Sequence, residues 1–150
     1  MSTSRSPEAP VKAVIDSLVA AWNVHDARAF AAAFAEDADF TNVFGMPANG
    51  RDAIERFHAP IFETMFKTSR LAATETRVRF LSEAIAAADM RWEMTGARDQ
   101  SGKEWPLRRG LMNMVMTRDG RGWSIAVMHN MDLPSEDLAE AQAKLQRAAR

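Results

Sequence analysis

The sequence predicts an α+β domain: a curved antiparallel sheet folded around a long helix, with a conical cavity left open at one end. Three observations carry this prediction. From Val11 to Trp22 apolar residues recur at intervals of three and four, the period of an amphipathic helix. From Thr74 to Met131 the period changes to two, the alternation of half-buried strands. The breaks in that second region are short turns such as Asp99-Gln-Ser-Gly102 and Asp119-Gly-Arg-Gly122, so consecutive strands must run antiparallel as a meander.

The elements follow in order. Residues 1–10, rich in Ser and Pro, read as a disordered tail. Val11–Val24 is the first helix, with Val11, Val14, Ile15, Leu18, Val19 and Trp22 on one face. Asp26 is an N-cap for a second, short helix over Ala27–Ala35. A strand over Asp39–Phe44 ends in the turn residues Gly45, Pro47 and Asn49-Gly50. A third helix opens near Arg51 and places Ile54, Phe57, His58, Ile61, Phe62, Met65 and Phe66 on its apolar face. Pro60 lies inside it and removes one backbone hydrogen bond. Four strands follow, Thr74–Leu81, Ala84–Thr95, Trp105–Thr117 and Trp123–Met131. A last helix over Glu136–Ala149 starts after Pro134-Ser135 and ends in basic residues that suit its dipole. The expected division is a tail at 1–10, a cone domain at 11–132 and a C-terminal helix at 133–150.

Composition narrows the function classes. At 150 residues with 47% hydrophobic and 26% charged residues, the chain is long and apolar enough for one globular core. A net charge of −1 with no basic stripe argues against a nucleic-acid partner. The absence of cysteine excludes disulfides and thiolate chemistry. No apolar run approaches the roughly 18 residues that span a bilayer, and no signal-peptide core is visible, so a cytoplasmic protein with no membrane partner is expected. Three histidines without helical i,i+4 spacing make no metal signature, and no phosphate loop, dinucleotide fingerprint or Gly-x-Ser-x-Gly occurs, so no metal or cofactor is expected.

The segment from Glu36 to Gly45 stands out. Strand alternation puts Phe40, Asn42 and Phe44 on one face, an amide between two phenylalanines. A buried amide without partners costs about 1–3 kcal/mol, so Asn42 is either a satisfied structural residue or part of a binding site.

The element order, with four local patterns, resembles the nuclear-transport-factor-2-like superfamily (the cystatin-like cone fold), and within it the SnoaL-like proteins of the SgcJ/EcaC type. The patterns are Trp22 to Asp26, Asp37-Ala-Asp-Phe-Thr-Asn-Val-Phe-Gly45, Gly50-Arg-Asp-Ala-Ile54 with His58 after it, and Trp123-Ser-Ile125 leading into His129-Asn130. The likeness implies a homodimer paired through the outer sheet face and a small apolar ligand in the cone. It does not supply a reaction, because one fold hosts isomerases, cyclases, dehydratases and non-catalytic members. Matched to the ketosteroid isomerases, the base position falls on Asn42, the tyrosine position on Leu18, and the acid near Met112 or Met114. An amide takes no proton at neutral pH, and Leu and Met donate no hydrogen bond, so that mechanism is rejected.

Other residues remain as candidates. His58 reads either as a neutral core histidine or as a pocket-wall acid or base. His25 falls in a polar link and is expected to be solvated. On the last strand Trp123, Ile125, Val127, His129 and Met131 share one face, which places His129 inside and Asn130 outside. Met90, Met94, Met112, Met114 and Met116 are core or dimer packing, or else a compliant wall for an irregular ligand. Trp92 shares register with Met90 and Met94. Of the pair Arg108-Arg109, one residue faces inward, and Arg109 is taken as the candidate for a ligand carboxylate or the partner chain.

The resulting ligand-binding set is Phe40, Asn42, Phe44, His58, Trp92, Arg109 and His129, with His58 and His129 as acid–base candidates. The expected function is a small-molecule pocket protein, a cofactor-independent cyclase, dehydratase or accessory factor of secondary metabolism. The alternative is a non-catalytic dimerisation or protein-interaction module of the same fold.

Overall fold

Pro10 sits in the first turn of the first helix, where a missing N–H costs nothing and a preset φ favours helix. The helix α1 therefore runs Ala9–Asn23 and takes in two residues expected in the tail. The computed structural model describes residues 6–134 and 136–150; the first five residues of the expected tail and Ser135, the expected start signal of the last helix, lie outside them. The remaining elements are α2 (Ala27–Ala31), β1 (Phe34–Thr41), β2 (Pro47–Asn49), α3 (Arg51–Glu63), β3 (Arg70–Ser82), β4 (Ile85–Thr95), β5 (Arg108–Asp119), β6 (Gly122–Asp132) and α4 (Glu136–Ala148).

The six strands form one sheet in the order β2-β1-β6-β5-β4-β3. The meander β3 to β6 is antiparallel as expected, but β1 joins β6 in parallel, so the sheet is mixed. The short strand β2, read from sequence as turn, pairs with β1 through Asp39↔Asn49 and Thr41↔Pro47. The second helix is shorter than expected, since its Asp26 cap holds Ala29 N–H but the chain enters β1 at Phe34.

One face of the sheet meets the helices. Ala86, Ala88, Met90, Trp92 and Met94 of β4, Met112, Met114 and Met116 of β5, and Ile125 and Met128 of β6 are buried there. Val11, Ile15, Leu18, Ala21 and Trp22 of α1 press on them. Complete burial of side chains such as Leu18 contributes about 1.5–3 kcal/mol each. Met90, Met114 and Met116 are thus core, the first of the two expected roles, while Met94 and Met112 are buried and also line the cavity.

The end of α1 is fastened to the start of β3 and to the link before it. Asn23 Nδ2 donates to Leu71 O at 2.8 Å and Leu71 N–H donates to Asn23 Oδ1 at 2.7 Å. Trp22 Nε1 donates to Ser69 Oγ at 3.0 Å. His25 is half-buried rather than solvated: it takes a left-handed φ of 57°, and its Nε2 lies 3.0 Å from Ser69 O. Both ring edge and backbone there serve the joint between α1 and β3.

The motif beginning at Gly50 is structural. Gly50 has φ 91° and donates its N–H to Ala38 O, and Arg51 forks Nε and Nη2 onto Phe34 O at 3.0 and 2.8 Å. These bonds set the start of α3 against β1. The last helix, α4, buries no residue, and Leu138 and Leu145 are exposed; Glu136 is ion-paired with Arg109. No helix of the described residues is long and apolar enough to cross a membrane.

Candidate functional site

The helices and the sheet diverge at one end and leave a cavity of about 170 Å³. Its floor and walls are Trp22 of α1, Phe30 of α2, Phe40 of β1, Phe57, His58 and Ile61 of α3, and Trp92, Met94 and Met112 of the sheet. Met65 and Phe66, just after α3, the β1–β2 loop with Asn42, Val43, Phe44 and Met46, and Arg108 and Asn130 of the sheet form the rest. Phe44 is 67% exposed, so it stands at the rim rather than in the wall.

His58 is the centre of the apolar end. It is only 2% exposed and lies inside five rings, with centroids at 4.3 Å to Phe30, 5.0 Å to Phe40, 5.2 Å to Phe57, 5.7 Å to Phe62 and 6.3 Å to Trp22. Its Nδ1 is 2.7 Å from Ile54 O, one helical turn back. A carbonyl only accepts, so Nδ1 carries the proton and Nε2 is left with a free lone pair. Among the described residues no sealed side-chain nitrogen or oxygen lacks a partner, so Nε2, which no protein group meets, opens on the cavity. Burial pushes the imidazole down from 6.5 to about 4, opposed by the bond to Ile54, and the ring is neutral at pH 7.

Asn42 occupies the mouth, one residue past β1. Its Oδ1 accepts from Phe44 N–H at 3.0 Å and Met46 N–H at 2.8 Å, and its own N–H donates to Met46 O. The amide that looked anomalous between two phenylalanines is an Asx-type organiser of the β1–β2 loop. Its Nδ2 meets only the Met46 sulfur, at 3.6 Å. Of the two open roles, the structural one is observed, with the amide nitrogen left over.

Two site expectations are corrected by strand geometry. His129 is exposed on the outer face, and Asn130 lines the cavity. The cause is a β-bulge: Val115 pairs with Val127 but Met116 pairs with Ile125, so Ala126 is an extra residue on β6. One inserted residue exchanges the two faces from there on. Ile125 therefore points inward, and so do Met128 and Asn130, while Val127 and His129 point out. On β5 the inward set Met112, Met114 and Met116 continues by twos to Gly110 and Arg108. Arg108 is thus the inward arginine, and Arg109 faces out to Glu93 and Glu136. The methionine parity was a usable signal for Arg108; nothing in the local sequence marks the bulge.

Trp92 lies flat across β5 because Gly110 has no side chain. A Cβ on Gly110 would stand 1.9 Å from the indole. The indole Nε1 then reaches β6 and donates to Asn130 Oδ1 at 2.8 Å. Arg108 packs over Trp92 and Trp105, with its guanidinium carbon 5.6 and 5.4 Å from the ring centroids, and its Nη2 bonds Asp132 Oδ1 at 2.8 Å.

Of the expected set, the structure brings Phe40, Asn42, Phe44, His58 and Trp92 to one cavity and leaves Arg109 and His129 outside it. At the positions matched to the isomerases, Leu18 is sealed in the core and Met112 lines the cavity. Neither is a proton donor. Among the described residues no group of three His, Asp or Glu side chains gathers.

Residues 15–132 match the family model of the SnoaL-like domain. No curated protein matches the sequence significantly. Among solved structures, a protein with a cystatin-like fold from Caulobacter vibrioides is similar over 93% of this chain and 98% of its own, at 23% identity and a TM-score of 0.83. A domain with a cystatin-like fold from Nostoc punctiforme is 26% identical over 99% of this chain and 96% of its own, with a TM-score of 0.74. A ketosteroid isomerase-like protein from Erwinia carotovora atroseptica is 18% identical over 87% and 99%, with a TM-score of 0.71. With its cone of mixed sheet, its cavity and a family match over most of its length, the chain belongs to the SnoaL-like domain family.

Proposed function

We propose that this protein binds a small, mainly apolar molecule in the His58 cavity and, as a SnoaL-like protein of the SgcJ/EcaC kind, promotes a cofactor-independent proton transfer on it, such as a cyclisation or dehydration. One observation carries the reading: the Nε2 lone pair of His58 is the unpartnered acceptor at the end of an aromatic cage. A ligand group presenting an acidic O–H or C–H to that nitrogen gains a hydrogen bond in a site sheltered from water.

The low basicity of the same imidazole favours a second reading, a binding module without turnover. A base whose conjugate acid lies near 4 in the empty site accepts hydrogen bonds more readily than protons. The test is native mass spectrometry of the purified protein to identify the bound molecule, followed by assay of its conversion with His58→Ala. Conversion abolished by the substitution supports catalysis. Binding without conversion in the native protein supports the module, and conversion that survives in His58→Ala removes the proton-transfer role.

We also propose pairing of two copies through the outer sheet face. Ala87, Val115 and Val127 form a half-buried apolar row across β4, β5 and β6, beside the row Asp89, Asn113 and His129. Light scattering on Val127→Lys tests it: a monomer where the native chain is a dimer supports this face, and an unchanged mass rejects it.

A further inference from the structure

We infer that the cavity selects a single-ring organic acid, whose carboxylate is held by Arg108 and the Asn130 amide. The inference rests on the proposed binding role of the same cavity and goes further by naming the ligand class.

The polarity of the hydrogen-bonding groups points to an anion. Asn130 Oδ1 already accepts from Trp92 and keeps one lone pair, while the Asn130 NH2 offers two N–H donors to a ligand. Asn42 Oδ1 is consumed twice by the loop backbone, so Asn42 offers only N–H. Arg108 has five donor hydrogens and spends one, from Nη2, on Asp132, and among the described residues its Nε and Nη1 meet no acceptor. Against these donors stand at most two acceptors, His58 Nε2 and the second lone pair of Asn130 Oδ1. A ligand that satisfies this set brings acceptor oxygens to one end and no more than one donor to the other.

Charge leads to the same class. The Arg108 side chain is only 14% exposed, whereas its partner Asp132 is 43% exposed. The cation is thus held toward the cavity and its counter-charge toward water. Trp92 and Trp105 fix the guanidinium by their ring faces, which preorganises the fork that a planar carboxylate matches.

Size sets the rest. A cavity of about 170 Å³ is close to the apolar voids of about 150 Å³ that take a benzene molecule. The walls beside His58 are the ring faces and edges of Phe30, Phe40 and Phe57, suited to one aromatic ring.

Isothermal titration of the full chain at pH 7.5 with benzoate, benzamide and toluene tests this. Benzoate is expected to bind about 10-fold more tightly than benzamide, the gain of a charge-assisted over a neutral contact. Arg108→Met should bring the two within about 2-fold, because benzoate loses more affinity than benzamide. Arg108→Lys, which keeps the charge and loses the fork, should give an intermediate ratio and decides the matter if Arg108→Met fails to fold. Equal binding of benzoate and benzamide to the native chain, or full discrimination in the variants, overturns the selection of an acid while leaving a ligand cavity. Failure of all three probes to bind overturns the binding role as well.

Discussion

Trp92 on β4 donates its indole N–H to the side-chain carbonyl of Asn130 on β6, at 2.8 Å, passing over β5 between them. Two features permit the bond. Gly110 leaves room for the indole, and the bulge at Ala126 turns Asn130 inward. The bond ties three strands together at the cavity wall and orients the amide that remains there.

Asn130→Ala should therefore destabilise the protein by about 1–3 kcal/mol, because a 2% exposed tryptophan is left with an unpaired N–H. His129→Ala, one residue away but on the exposed face, should leave ligand affinity within about 2-fold. Urea unfolding and ligand titration of the two variants check this; equal losses for both would contradict the observed faces.

Gly110→Ala places a methyl group where the Trp92 ring now lies. Overpacking of this kind costs about 1–3 kcal/mol, and the indole must leave Asn130 to relieve it. The expected signs are a lower unfolding midpoint in urea and a shift in tryptophan emission. An unchanged midpoint would show that the ring does not need this space.

His58 makes stability depend on pH. Its native value of about 4 lies below the ordinary 6.5, so the unfolded chain takes up the proton first as pH falls. The stabilisation is complete above pH 6.5 and is lost as pH drops toward 4, by about 2 kcal/mol between pH 7.5 and pH 5. The rings around His58 carry no charge, and the charged residue sharing its cavity is Arg108. Urea unfolding at the two pH values should show this loss in the native protein and not in His58→Leu.

Asn42→Ala should remove the acceptor for two loop amides, at a cost of about 0.5–1.5 kcal/mol. Asn42→Asp keeps an acceptor oxygen and should leave the loop intact. Hydrogen exchange at Phe44 and Met46 distinguishes them: faster exchange is expected in the alanine variant and not in the aspartate variant.

Much of this architecture is legible in the chain because its rules are local. The three-and-four spacing of Val11, Ile15, Leu18 and Trp22 needs only a helix to bury one stripe, and α1 buries it. The alternation of Met90, Trp92 and Met94, and of Met112, Met114 and Met116, likewise survives into the inward face. Phe40, His58 and Trp92 reach the cavity because each sits within a regular element whose period holds. The strand expected to carry Asn42 ends one residue before it, so its amide oxygen turns to the loop backbone and only its amide nitrogen is left toward the cavity mouth.

The sequence by itself determined the fold class, the inward faces of the regular strands and that an amide and a leucine, Asn42 and Leu18, stand at the positions matched to the isomerase base and tyrosine. Only the tertiary structure decided that Asn130, and not His129, meets the cavity. The reason is geometric. A strand's faces follow a period of two only while its register is unbroken, and the extra residue at Ala126 exchanges His129 for Asn130. The burial of His58 inside five rings, which sets both its protonation and its free nitrogen, is a product of four separate segments meeting and has no local signature.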